Sequence, residues 1–267
     1  MKVSLGIFTN RLVTLAAVCL ILTVAVVSAS YAQKITNQPQ LRVLTYNIHH
    51  GEAMDGKFDY ERLARVITDL KSDVVALQEV DRKTRRSSGV DQAELLGKLT
   101  GMNSAFGNAM YFQDGEYGEA LLSRFPMEEI KAHHLPFRPG QEPRTALAAR
   151  IKPGNGLPEF VFVGTHLCHQ SEATRTEQAQ QINRLFPAKE GLPIILVGDL
   201  NSRRGSDAMN ELLVERWVDA TAPESRIDYI LLRIGDPWRI VEVKIIDERV
   251  VSDHRPVLAV LEWQGSR

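Results

Sequence analysis

Apolar and polar positions alternate along this chain with two different periods. Residues 41–46 form a short apolar run that reads as a strand. Between residues 59 and 70, Leu63, Val66, Ile67 and Leu70 recur at helical spacing and predict an amphipathic helix. Residues 74–77 read as a buried strand, and 91–99 as a second helix stopped by Gly101. From 105 to 151 the chain is rich in strands, punctuated by Gly115, Gly118, Pro126, Pro136 and Pro139. A strand at 160–167, a helix at 171–185, a buried strand at 193–197 and a short helix near 207–214 follow. Strands at 227–234, 239–246 and 257–263 close the chain. Strands that alternate with helices and later group together imply a mixed α/β domain with more than one sheet. No internal repeat, low-complexity tract or linker interrupts 41–263.

The first 32 residues stand apart from this pattern. Lys2 and Arg11 precede an uncharged, mostly apolar run over 12–27, and Ser30-Tyr31-Ala32 offers small residues where a signal peptidase reads. A signal peptide at 1–32, a polar lead-in at 33–40 and one domain at 41–267 is the organisation this implies. The expected location is periplasmic or secreted. The alternative is an uncleaved segment that anchors the chain; cleavage would leave no stable membrane association. The part beyond residue 32 keeps one cysteine, Cys168, so it has no internal disulfide even though export would permit one. Stability must come from an apolar core, for which 44% apolar residues suffice.

Charge excludes one broad class. Without Lys2 and Arg11 the chain carries 30 basic against 33 acidic residues, near −3, which is unlike a strongly basic nucleic-acid binder. No partner protein is evident.

The chemistry is concentrated at strand ends. Tyr46-Asn47-Ile48, Leu77-Gln78-Glu79-Val80 and Gly198-Asp199-Leu200-Asn201 each close an apolar strand, and Ser252-Asp253-His254-Arg255-Pro256-Val257 opens another. Together they read as one active site at one sheet edge. Asn47, Glu79 and Asp253 are hard oxygen donors that suit Mg²⁺, with Mn²⁺ or Ca²⁺ as alternatives, and match zinc poorly. If the strand continues past 197, Asp199 and Asn201 share a face, the first placed to take a proton from water and the second to aim it. Gly198 leaves room for a ligand to approach. Asp228, between apolar neighbours, needs a partner and is expected to hold the His254 imidazole. His166 is a further candidate for phosphate contact. His166-Leu167-Cys168-His169 could be read as a soft-metal site, but ligands so crowded at a strand end rarely face one ion.

The ordered set Tyr46-Asn47, Gln78-Glu79, Thr165-His166, Gly198-Asp199-Leu200-Asn201, Ile227-Asp228-Tyr229 and Ser252-Asp253-His254-Arg255-Pro256 resembles the endonuclease/exonuclease/phosphatase superfamily with its DNase I-like fold. The resemblance implies a four-layer α-β-β-α sandwich and Mg²⁺-dependent phosphoester cleavage by an activated water. Carried over by position, it implies metal ligation by Asn47, Glu79 and Asp253, and water activation and orientation by Asp199 and Asn201. It further implies an Asp228–His254 acid–imidazole pair, a phosphate-binding His166 and, in Pro143-Arg144-Thr145, a phosphate-contacting Arg144. Two positions depart from the family pattern: Glu119 stands where asparagine is common, and His49 where some members carry an acid.

The expected substrate is an anionic phosphoester. Basic residues follow the clusters (Arg82, Lys83, Arg85, Arg86, Arg203, Arg204, Arg255), so a positive mouth would tilt the reading toward a phosphodiesterase or endonuclease acting on nucleic acid. A phosphatase, a phospholipid diesterase or a non-catalytic binding module of the same fold are the alternatives.

Overall fold

The computed structural model describes residues 38–154, 156–187, 191–224 and 226–265; the predicted leader and most of the lead-in lie outside them. Residues 39–267 cluster as one compact unit. The first half runs β1 (Gln40–Asn47), a 3₁₀ turn (His49–Gly51), α1 (Tyr60–Asp69), β2 (Val74–Arg82), α2 (Gln92–Thr100), β3 (Asn103–Phe112) and β4 (Gly115–Ser123). The second runs β5 (Met127–His134), β6 (Thr145–Ile151), β7 (Phe160–His166), α3 (Glu172–Leu185), β8 (Ile194–Asp199), α4 (Asp207–Leu213), β9 (Trp217–Asp219) and β10 (Asp228–Arg233). The chain then returns through β11 (Trp238–Ile245) and β12 (Val257–Trp263) to the first sheet.

The helices start where local chemistry lets them. Asp59, Asp91 and Ser171 each accept a backbone N–H of the first turn, from Arg62, Glu94 and Thr174. Gly101 ends α2 in the left-handed conformation at φ 69°.

Two six-stranded sheets result, in the orders β11-β12-β1-β2-β4-β3 and β5-β6-β7-β8-β10-β9. Strand alternation sends side chains to two layers of core. Val43 and Ala76 pack between the sheets with Phe162, Ile195 and Ile230, while Leu44, Val75 and Leu77 face Leu63 and Ile67 of α1. On the far side Leu196 and Leu231 meet Ile182 of α3 and Met209 of α4. Three apolar clusters between four layers make the α-β-β-α sandwich that the sequence resemblance implies. Full burial of a residue such as Ile67 contributes about 1.5–3 kcal/mol. Among the described residues no helix is long and apolar enough to cross a membrane.

The two sheets repeat one plan although the sequence shows no repeat. Position for position, β1 matches β7, β2 matches β8, and β4 matches β10. In each half the central pair is parallel, β1 with β2 and β7 with β8, and every other pairing is antiparallel. A parallel pair needs a crossover, supplied by α1 in one half and α3 in the other.

Two local expectations need correction. The strand carrying Asp199 stops there, and Asn201 turns back with φ 47°, so the two do not share a strand face. Residues 252–256 are loop and β12 begins at Val257, as expected. Gly198 does not make room for a ligand: at φ 151°, a Cβ there would lie 1.8 Å from the Thr165 carbonyl oxygen, so the glycine lets β7 and β8 approach.

Candidate active site

Strand register assembles half of the site in a single row. His166 on β7 pairs with Asp199 on β8, which pairs with Asp228 on β10. All three are strand-end residues, so three ionisable groups meet at the C-terminal edge of a parallel pair, where an open α/β sheet leaves a crevice.

The other half is built from irregular backbone. Asn47 ends β1 and is fully buried. Beside it β2 carries a bulge: Leu77 pairs with Ala120 and Val80 with Gly118, so Gln78 and Glu79 together oppose Glu119. Glu79 sits at φ 58°, and the bulge re-aims its carboxylate. The Asn47 amide links the halves, donating to Glu79 Oε1 (2.9 Å) and, more weakly, to Asp199 Oδ2 (3.3 Å). Its Oδ1 accepts from the His49 N–H (3.0 Å).

His254 comes in from the loop before β12. The Ser252 hydroxyl donates to the Asn47 carbonyl (2.7 Å) and pins that loop to β1. His254 Nδ1 is 3.1 Å from both Asp228 oxygens, and Nε2 is 3.6 Å from Asp199 Oδ2. The expected acid–imidazole pair is therefore present in the geometry. Ligand atoms of Asp199, Asp228 and His254 lie within 4.8 Å of one another, a group able to hold a metal ion.

Arg144 and His166 close the opposite wall. Arg144 is 2% exposed; its Nη1 donates to His166 Nδ1 (2.9 Å), and it also reaches Glu142 (2.8 Å) and His169 Nδ1 (3.2 Å). A guanidinium can only donate. His166 Nδ1 is then the acceptor, and Nε2 carries the proton and faces Asp199 Oδ2 (3.4 Å); the Asn201 amide nitrogen, 2.9 Å from the same Nε2, is itself a donor and does not accept that proton. The Asn201 backbone N–H donates to Asp199 Oδ1 (2.9 Å), and its side-chain amide to the Leu167 carbonyl (3.0 Å). Because the guanidinium sits between the rings of His166 and His169, these two do not converge on a soft metal.

Burial and charge set the protonation pattern. Burial and the neighbouring Asp228 push the Asp199 carboxyl up to about 7, against relief from His254, the Asn201 N–H and Asn47. For His254 burial acts downward, but the hydrogen bond and charge of Asp228, then Asp199 and Asp253, raise it to about 9. Burial, then the Arg144 charge, hold His166 well below 6.5, so its ring is neutral. Burial also opposes ionisation of Glu79, yet the hydrogen bond from the Asn47 amide and the nearby Arg144 charge hold it below the usual carboxylate range.

Glu79, Arg144, His166, Asp199, Asn201, Asp253 and His254 all line one cleft of about 410 Å³. Asn47 lies buried beneath it, and Asp228 faces an adjoining cavity of about 520 Å³ that shares Asp253 and His254. The cleft also contains His50, Glu142, His169 and Tyr117, which the sequence reading assigned no role. The sequence signals for them were the proximity of His50 to Asn47 and the place of His169 in His166-Leu167-Cys168-His169.

A family model described as "Endonuclease/Exonuclease/phosphatase family" matches residues 44–254. The chain belongs to this family. It is 26% identical to the uncharacterized protein YbhP of Escherichia coli K12, over 84% of this chain and 97% of that protein. An endonuclease/exonuclease/phosphatase from Beutenbergia cavernae is similar with TM-score 0.70 and 24% identity, covering 85% and 72% of the two chains. Bacteroides thetaiotaomicron mannosyl-6-phosphatase Bt3783 follows at TM-score 0.69 and 19% identity, covering 84% and 100%. Phosphoester hydrolysis assisted by a metal is the chemistry of the family, and the donors fit a hard cation. Glu79 is held ionised at the cleft wall beside an amide, and Asp253 is exposed to the same cleft.

The basic rim is largely neutralised. Arg82 pairs with Glu116, Arg85 with Asp114 (2.8 Å), Arg86 with Asp81 (2.8 Å), Arg204 with Asp219 (2.6 Å) and Arg255 with Asp247 (3.8 Å). The local field is weaker than the sequence run suggests, because most of these arginines bring an acid.

Proposed function

We propose that this chain is an exported, metal-dependent hydrolase of a small phosphoester, with Asp199 as the base that activates water. The observation that carries the reading is the surroundings of Asp199: a carboxyl near neutral pKa, ringed by Asn47, His166, Asn201 and His254 within 3.6 Å. A base with pKa near the working pH combines a useful ionised fraction with real proton affinity.

In this reading Asp199 removes the proton of the attacking water, and Asn201, fixed by its contacts to His166 and Leu167, orients it. Protonated His254, steadied by Asp228, presents positive charge to the phosphoryl oxygens as negative charge builds. Neutral His166 holds its Nε2–H toward the same point, and Arg144 fixes that tautomer and adds charge behind it. Asn47, Glu79 and Asp253 would hold the cation, Mg²⁺ or Mn²⁺, which when bound polarises the phosphoryl and leaving oxygens. Export is supported by the N-terminal run alone. The paired rim arginines favour a small substrate; the second reading, a polyanion such as nucleic acid, draws on Arg203 and Arg226 around the adjoining cavity.

The test is hydrolysis of bis(p-nitrophenyl) phosphate and of p-nitrophenyl phosphate by the full chain, with Mg²⁺ or Mn²⁺ and with EDTA. Turnover that EDTA abolishes supports the reading, and the preferred ester separates diesterase from phosphatase. Turnover untouched by EDTA removes it. Plasmid nicking that falls steeply with salt would favour the polyanion instead.

A further inference from the structure

His50 sits three residues after Asn47 in a backbone that L-residues avoid. His49 and His50 both lie in the left-handed region, at φ 48° and 44°. With this turn His50 Nε2 lies 3.2 Å from Glu52 Oε2, and Nδ1 lies 3.9 Å from Glu79 Oε2. A carboxylate can only accept, so the Glu52 contact places the ring proton on Nε2 and leaves a lone pair on Nδ1. That nitrogen is shielded from solvent and has no hydrogen-bond partner among the described residues.

The other cleft histidines differ. Nδ1 of His49 is engaged by the Glu52 carbonyl, that of His166 and of His169 by Arg144, and that of His254 by Asp228. A separation of 3.9 Å is too long for a hydrogen bond and suits two donor atoms on one ion. A ligating imidazole usually gives its other N–H to a carboxylate, which fixes the tautomer and raises its basicity. The Glu52–His50 pair has that form.

We propose that His50 Nδ1 and Glu79 together ligate the divalent cation of this site, with Glu52 as the positioning carboxylate. The inference rests on the metal-dependent reading above and gives it a mixed nitrogen–oxygen donor set. Such a set favours Mn²⁺ over Mg²⁺, which takes oxygen almost alone.

The experiment is electron spin echo spectroscopy of Mn²⁺ bound to the full chain, with Kd from titration of free Mn²⁺. A ¹⁴N coupling from a directly bound imidazole is expected, lost in His50→Asn and kept in His254→Asn. Asparagine tolerates the left-handed backbone, so His50→Asn keeps the loop path. Its Mn²⁺ Kd is expected to rise at least about 10-fold, and that of Glu52→Gln by about 10-fold as well. Bound Mn²⁺ without ¹⁴N coupling, or a coupling that survives His50→Asn, overturns the proposal. Should His50→Asn not fold, native Mn²⁺ spectra and Glu52→Gln decide: an unchanged Kd in Glu52→Gln overturns it. Failure here with hydrolysis still EDTA-sensitive leaves the proposed function standing, whereas EDTA-insensitive hydrolysis removes both.

Discussion

The two halves of this molecule follow one strand plan and place different chemistry on it. Asn47 on β1 corresponds to His166 on β7, the bulged pair Gln78 and Glu79 on β2 stands where Asp199 stands on β8, and Glu119 on β4 corresponds to Asp228 on β10. In the second half unbroken register brings His166, Asp199 and Asp228 into a row. In the first, a bulge and left-handed residues at His49, His50 and Glu79 set the positions. In the function proposed above, the difference in backbone follows a difference in task. Proton chemistry in one half needs charged groups packed against each other so that their affinities shift. Cation binding in the other needs an oxygen turned outward from the sheet, which a flat strand does not provide.

The largest effect is expected from breaking the correspondence at its centre. Asp199→Ala should lower kcat by about 10²-fold or more, with Mn²⁺ affinity nearly intact. Glu79→Ala, at the matching place in the other half, should weaken Mn²⁺ binding and recover part of its rate when metal is raised. Equal responses of the two variants, in titration and in turnover, would erase the division of labour.

A smaller effect separates the members of the row. With Asp199 at about 7 and His254 at about 9, kcat/KM should rise through pH 7 and fall above pH 9. Asp228 acts upward on both groups, so Asp228→Asn should move both limbs to lower pH. A profile with unmoved limbs would show that Asp228 does not govern either proton.

Legibility in the sequence follows the same division. The row was readable because His166 and Asp199 each end a strongly apolar strand and Asp228 opens one, so strand termini alone predict where Asp199 and His166 fall. The helices were readable too, since Asp59, Asp91 and Ser171 are capping residues ahead of a periodic stretch. The repeat of the two sheets was hidden, because a shared strand order needs only matching apolar runs, with no residue identity between halves. The bulge at Gln78-Glu79 was hidden as well. It depends on two residues opposing one on β4, a tertiary pairing that no local pattern encodes. Local runs of arginine overstate the charge for a related reason: Glu116, Asp114 and Asp219 reach them from elsewhere in the fold, and Asp81 from the same run.

Glu119 and Asp228 hold matching places, and the smallest expected effect tests what sets them apart. Asp228 has an imidazole partner, whereas Glu119 is 1% exposed with Oε2 lacking a hydrogen bond. Burial pushes the Glu119 carboxyl well above its usual range; Glu79, Asp199 and Glu142 add to this and Arg144 opposes it. The folded chain thus keeps a proton that the unfolded chain releases near its ordinary pKa of about 4.5. The native state binds more protons, so this group removes stability as pH rises above that value, by up to about 1.4 kcal/mol per pH unit. Glu119→Gln keeps the shape and deletes the titration. Urea unfolding at pH 5 and pH 7 should therefore show wild type losing stability relative to Glu119→Gln as pH rises. A constant difference between the two proteins would mean that Glu119 ionises in place, with Arg144 as its counter-charge, much as Asp228 is balanced by His254.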